Sequence, residues 1–203
     1  MYMFQPTIDK DLIKDFPIEV FPGKIHLVDT TRKLKPCLET LNKETILGFD
    51  TETKPCFTKG CRTTVSLLQL STQEDCYLIR LNKVGMTSEI IDLLSNEKIL
   101  KVGLSIHDDY ISLRRKEPFE QGGFVELQKL CPGYGIKDSS LRKVYAIMFG
   151  KAISKAQQLS NWENAKLTAA QQAYAALDAW ACLQIYNKLM TLPSPHPVKF
   201  ALL

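Results

Sequence analysis

The stretch Ile46-Leu47-Gly48-Phe49-Asp50-Thr51-Glu52-Thr53 decides the fold. It begins as an apolar strand and ends in two carboxylates. Alternation along a strand puts Asp50 and Glu52 on one face and Phe49 and Thr51 on the other. Neighbouring carboxylates repel unless a cation or a proton intervenes. A hard divalent cation such as Mg²⁺ takes oxygen ligands, and one or two carboxylates are its usual protein contribution. The same pattern also suits a strand running out into solvent at a polar turn. Working outward, residues 65–70 and 76–79 read as two more strands, with a hairpin turn over 71–75. Shorter strands are expected at 25–28 and 99–102. Helices are expected over 31–42, over 87–95 and from about residue 105, and helical patterning dominates 139–190. Strands joined by a hairpin, then strand–helix alternation, indicate an α/β domain with a mixed sheet.

Two further acidic positions stand out. In Ser105-Ile106-His107-Asp108-Asp109-Tyr110 a helix starting near Ser105 puts Ile106, Tyr110 and Leu113 on one face. Asp109 lies roughly 60° from Ile106, whereas Asp108 lies roughly 160° away and faces solvent. Asp109 is therefore the acid placed to look back over the sheet. Asp108 suits the positive end of the helix dipole, and His107 reads as a surface residue. Further on, Thr168 and Gln171 make a capping-box start to an alanine-rich helix. There Tyr174, Leu177, Ala181 and Ile185 form an apolar stripe, and Asp178 falls in its middle. A carboxylate on a buried face is costly unless paired or metal-bound. No Lys or Arg stands within one turn of Asp178.

The 203-residue chain has 45% hydrophobic and 24% charged residues and a net charge of +4. That composition excludes collagen-like and disordered classes. No apolar run approaches the roughly 20 residues that span a bilayer, and the first residues lack a secretory pattern, so no membrane association is expected. The six cysteines are Cys37, Cys56, Cys61, Cys76, Cys131 and Cys182. Cys56 and Cys61 lack a second Cys or His pair to complete a zinc site. Reduced, structural thiols and a cytoplasmic location are expected. Residues 137–166 hold six basic residues (Lys137, Arg142, Lys143, Lys151, Lys155, Lys166) against two acidic ones, an excess equal to the whole net charge. Lys143 and Lys155 are the candidate phosphate contacts there. Lys54, Lys59 and Arg62 form a second basic group after the first acidic strand.

Asp-x-Glu on a strand, Asp at the opening of a mid-chain helix and Tyr-x-x-x-Asp on a late helix together resemble the three motifs of the DEDDy 3'-5' exonucleases. Within that group the chain is similar to the ribonuclease D and Werner-type exonuclease domain. Val65–Thr72 (VSLLQLST) and Leu159-Ser160-Asn161-Trp162 extend the likeness. The resemblance implies a ribonuclease H-like fold: a five-stranded mixed sheet, its first three strands antiparallel, flanked by helices. It implies that Asp50, Glu52, Asp109 and Asp178 bind two divalent cations, Mg²⁺ or Mn²⁺, and that Tyr174 is the catalytic tyrosine. The implied reaction is hydrolysis of the terminal phosphodiester at a 3' end of single-stranded DNA or RNA. The expected organisation is an N-terminal extension over 1–24, the exonuclease domain over 25–190 and an extended tail over 191–203. The chain departs from the pattern at Asp108, which adjoins the second-motif acid. It departs again in Asn164-Ala165-Lys166, which lacks the proline frequent before the third motif. Two alternatives compete. A binding module of the same fold that had lost catalysis would normally lack some of these acids. A haloacid-dehalogenase-like phosphatase needs Asp where Glu52 stands and leaves Tyr174 and Asp178 without a role.

Overall fold

The computed structural model describes residues 4–55 and 64–193. Its strands are β1 (Lys24–Val28), β2 (Ile46–Thr53), β3 (Val65–Ser71), β4 (Asp75–Ile79), β5 (Leu100–Gly103) and β6 (Phe124–Glu126). The helices are α1 (Thr31–Leu41), the single turn α2 (Leu81–Val84), α3 (Ser88–Ser95), α4 (Ile106–Arg114), the single turn α5 (Leu127–Leu130), α6 (Leu141–Phe149) and α7 (Ala169–Met190). All strands join one sheet in the order β1-β4-β3-β2-β5-β6. β2, β3 and β4 pair antiparallel, whereas β1 lies parallel to β4, β5 to β2 and β6 to β5. The mixed α/β class is as expected, but among the described residues the sheet has six strands where five are implied. The extra one is β6, a three-residue strand held by pairing Lys101 with Phe124 through Gly103 with Glu126. The antiparallel trio is β2–β4 rather than the first three strands, because β1 lies parallel to β4 at the edge.

Alternation divides the sheet between two helical layers. Leu47 and Phe49 of β2, Leu68 and Leu70 of β3, and Tyr77 and Ile79 of β4 pack against Leu34, Leu38 and Leu41 of α1 and Ile90, Leu93 and Leu94 of α3. Leu67, Cys76 and Leu78 face the other way, against Ala175 and Ala176 of α7. Together α6 and α7 close that second layer around Tyr145, Met148, Ala181 and Ile185. Cys37, Cys76, Cys131 and Cys182 are free and buried, filling these cores as small apolar groups. Cys56 and Cys61 lie outside the described residues.

One glycine sets the distance between α7 and the sheet. A Cβ on Gly48 would sit 2.0 Å from the Ala179 carbonyl oxygen, so only glycine lets α7 rest directly on β2. The alanines of α7 extend that close approach. α7 itself begins as expected, with the Thr168 hydroxyl accepting from the Gln171 N–H and the Gln171 side chain accepting from the Thr168 N–H. Helical structure does not run through 139–190. α6 stops at Gly150, whose φ of 64° is left-handed, and residues 150–168 cross the surface as turns before α7.

Candidate active site

Because α7 touches β2 at Gly48, Asp50 and Glu52, next on the same face of the strand, look at Asp178 beside Ala179. Oxygens of Asp50, Glu52 and Asp178 lie within 4.8 Å of one another. Asp178 is only 6% exposed. Burial, then the charge of Asp178, pushes the Asp50 carboxyl well above its ordinary value. Burial, with Asp50, Asp178 and Asp109 adding repulsion, pushes Glu52 up to about 10. Burial raises Asp178 to about 7, opposed by a hydrogen bond from Tyr174 and by the charge of Arg142. Left alone, these buried acids resist ionisation. A multiply charged cation removes the repulsion and lets them ionise, so the donor set fits a hard divalent ion.

Asp109 stands outside this trio and meets β2 through Thr51. The Thr51 hydroxyl donates to its Oδ1 at 2.6 Å. Burial, then the charge of Asp50, pushes Asp109 up to about 8. Asp109 is thus close enough to Asp50 to feel its charge. Asp108 and His107 are exposed, so the structure presents Asp109, not its neighbour, to the strand. The start of α4 is held by a residue that the sequence reading did not single out. Ser105 sits at φ 64°, a conformation unfavourable for a residue with a Cβ. The buried carboxylate of Glu126 accepts the N–H groups of Ser105 (3.0 Å), Ile106 (2.7 Å) and Gln128 (3.0 Å). A glutamate flanked by apolar residues in Phe124-Val125-Glu126-Leu127 was the available signal.

Tyr174 lies one turn before Asp178. Burial, then the charges of Asp178 and Glu52, raises its pKa, so the phenol stays protonated. Its ring stands 6.1 Å from that of the fully buried Trp162. The loop carrying Trp162 is pinned by Arg80 at the end of β4, buried without an acidic partner among the described residues. Its guanidinium donates to the carbonyls of Trp162, Asn164 and Ala165 at 3.3, 2.5 and 3.0 Å. Gln69, paired with Asp50 across β2 and β3, is fully buried, and neither its side-chain N nor its O has a protein partner.

A cleft of about 360 Å³ opens beside Tyr174 and Asp178, and Lys10, Arg142, Lys143 and Lys155 line it. Both lysines nominated from sequence line this cleft, although Lys143 is also paired with Asp138 at 2.8 Å. Other members of the basic segment are occupied structurally: the Arg142 Nε donates to the Ile153 carbonyl and Lys151 pairs with Glu19. Lys54 pairs with Glu163 at 3.3 Å. Lys59 and Arg62 lie outside the described residues.

A mixed sheet with carboxylates converging from β2, α4 and α7 defines a nuclease-like centre, and comparison with known proteins names its class. The family model described as 3'-5' exonuclease matches residues 25–192. The chain belongs to that 3'-5' exonuclease family. It is 32% identical over 197 residues to the mouse bifunctional 3'-5' exonuclease/ATP-dependent helicase WRN, covering 91% of this chain and 14% of that protein. It is 27% identical over 190 residues to the exonuclease mut-7 homolog of Aedes aegypti, covering 81% of this chain and 26% of that protein. The chain thus spans about a quarter or less of the length of these relatives. The crystal structure of the Aedes aegypti Nibbler EXO domain superposes with a TM-score of 0.75 at 26% identity, covering 84% of this chain and 91% of that one. Trypanosoma brucei RNase D in complex with RNA U12 shares the fold, with a TM-score of 0.76 at 21% identity over 89% of this chain and 66% of that one. Among the described residues, no helix is long and apolar enough to cross a membrane.

Proposed function

We propose that this chain is a divalent-cation-dependent 3'-5' exonuclease that removes nucleoside 5'-monophosphates from the 3' end of single-stranded DNA or RNA. The observation that carries this reading is the convergence of Asp50, Glu52 and Asp178 within 4.8 Å, at a position where burial leaves their charge uncompensated. Asp50, Glu52 and Asp178 would hold one cation. Asp109, with Asp50 shared, would hold the second. When bound, a pair of Mg²⁺ or Mn²⁺ ions supplies a water that loses its proton near neutral pH and positive charge against the attacking and leaving oxygens. Such all-oxygen donor sets suit those two metals.

The chain's own groups do the rest. Tyr174, kept protonated, donates its one hydroxyl proton to Asp178, leaving its oxygen lone pairs to accept from and orient the attacking water; it does not take that water's proton. Thr51 fixes the Asp109 carboxylate, and Glu126 fixes the helix that carries it. Attack by water on the terminal phosphorus breaks its bond to the 3' oxygen of the preceding nucleotide. That oxygen leaves as a hydroxyl and the product carries a 5'-phosphate. Lys143 and Lys155 lie where phosphates of the strand would approach the centre. The complete set of four acids argues against a module that only binds, and the arrangement of Tyr174 with Asp178 has no use in a phosphatase.

Incubation of 5'-labelled single-stranded DNA and RNA with Mg²⁺ or Mn²⁺ tests this reading. A ladder shortening stepwise from the 3' end is expected, and Asp50→Ala abolishes it. No ladder on either polymer with either metal refutes the proposal.

A further inference from the structure

The segment preceding the matched family stretch is strapped across α6 and the loop after it. The Lys137 N–H donates to the Pro6 carbonyl at 2.7 Å, and the Ile8 N–H to Asp138 at 2.8 Å. At the other end, the Ala152 N–H donates to Pro17 and the Glu19 N–H to Ala152, at 2.9 and 2.8 Å. The Glu19 carboxylate accepts from Tyr145 and pairs with Lys151, both at 2.8 Å. Ile8 and Ile13 are buried against Ala146 and Ala152. Between its two anchors the strap brings Lys10 and Ile13 to the rim of the basic cleft that contains Tyr174 and Asp178. Lys10 is exposed and makes no ion pair among the described residues.

The strap also walls a second cleft. Ile18, Val20 and Phe21 line it with Ala170, Ala173 and Leu177, and Tyr174 again stands at its boundary. Ile18 and Val20 are 69% and 67% exposed, apolar side chains left open to water in the cleft that Tyr174 bounds. The two clefts meeting at Tyr174 thus differ in chemistry, one basic and one apolar. A nucleotide has the same division, a charged phosphate and a flat base.

We propose that this N-terminal strap is a substrate-binding wall: Lys10 neutralises a backbone phosphate of a single strand, and the Ile18–Val20 side receives a nucleobase. The inference rests on the exonuclease reading and assigns that activity's substrate to an element outside the matched family stretch. An aliphatic shelf covers the apolar face that every base presents, so the wall holds a strand without reading its sequence.

Fluorescence anisotropy of a labelled single-stranded oligonucleotide, DNA and RNA in separate arms, tests the proposal. It is measured with the full chain and a chelator across a salt series. Each phosphate neutralised on a single strand contributes about 0.7 to the slope of log affinity against log salt. Lys10→Ala is expected to lower the slope by about that amount and to weaken binding several-fold at low salt. Lys14→Ala, an exposed lysine of the same segment paired with Asp11, leaves both unchanged. Val20→Ser weakens binding at every salt concentration without changing the slope. An unchanged slope and affinity for Lys10→Ala, in a chain that binds and shortens the strand, overturns this inference alone. A wild-type chain that neither binds nor shortens single strands overturns the exonuclease reading beneath it.

Discussion

Asp178→Asn replaces a buried carboxylate by an amide of the same shape, and its effect on stability can be worked out from the site. Burial raises Asp178 from 3.8 to about 7 in the folded chain. The folded state therefore binds more protons than the unfolded one. For such a group, stability falls as pH rises from the unfolded value through the folded one, here from about 4 to about 7, and is then flat. Each pKa unit corresponds to about 1.4 kcal/mol, so the ionised carboxylate costs the folded chain ~4 kcal/mol above pH ~7. An amide never ionises, and its oxygen still accepts from the Tyr174 hydroxyl, but without the negative charge that strengthens that bond by ~1 kcal/mol. The net gain of ~3 kcal/mol amounts to roughly 6–12 °C in a chain of this size. Thermal unfolding followed by circular dichroism in a chelator, at pH values spanning 5 to 9, reads this directly. Asp178→Asn is expected to melt higher than wild type at the alkaline end, with the difference shrinking toward the acidic end. Added Mn²⁺ narrows or reverses the gap, because it stabilises the wild-type carboxylates. A variant melting below wild type at the alkaline end in chelator refutes the electrostatic argument.

The two acids opening α4 separate cleanly in activity: Asp108→Ala retains most 3'-end cleavage and Asp109→Ala loses it, since only Asp109 reaches Thr51. The reverse order in a gel assay would contradict the helix phase. Tyr174→Phe lowers kcat by about a hundredfold, the scale of a misplaced reacting group, with KM unchanged in steady-state kinetics. Equal loss in both parameters would place Tyr174 in binding instead. Gly48→Ala forces a Cβ against the Ala179 carbonyl and destabilises the fold by ~1–3 kcal/mol. The displaced α7 also withdraws Asp178 from Asp50, so residual activity at low temperature falls further than the folded fraction measured by circular dichroism.

The parts of the site that can be read from sequence are those governed by local period. Asp50 and Glu52 share a face because strands alternate, Asp109 is distinguished from Asp108 by helix phase, and Asp178 stands out as a charge within an apolar stripe. Contacts that join distant segments left no such mark. The phenylalanine, valine and glutamate of β6 are too few to show alternation, well below the usual strand length of about 5–6 residues, and they form a strand only because β5 lies alongside. Glu126 caps a helix start about 20 residues earlier in the chain. Arg142 bears on Asp178 across the packing of α6 on α7. Lys10 reaches the cleft only because Pro6, Ile8, Pro17 and Glu19 are tied down by residues more than a hundred positions away. Basic character over 137–166 was visible, but several of its charges turn out to brace the fold. Sequence counts charge without showing where it points.

Cleavage of the last phosphodiester at a 3' end is the reaction proposed for the carboxylates gathered by β2, α4 and α7. Mass spectrometry of the small products from an unlabelled single-stranded oligonucleotide, with Mn²⁺ and either wild type or Asp50→Asn, tests it most directly. Wild type is expected to release nucleoside 5'-monophosphates in order from the 3' end, and Asp50→Asn to release none. Nucleoside 3'-monophosphates, release beginning at the 5' end, or equal product from Asp50→Asn would contradict it.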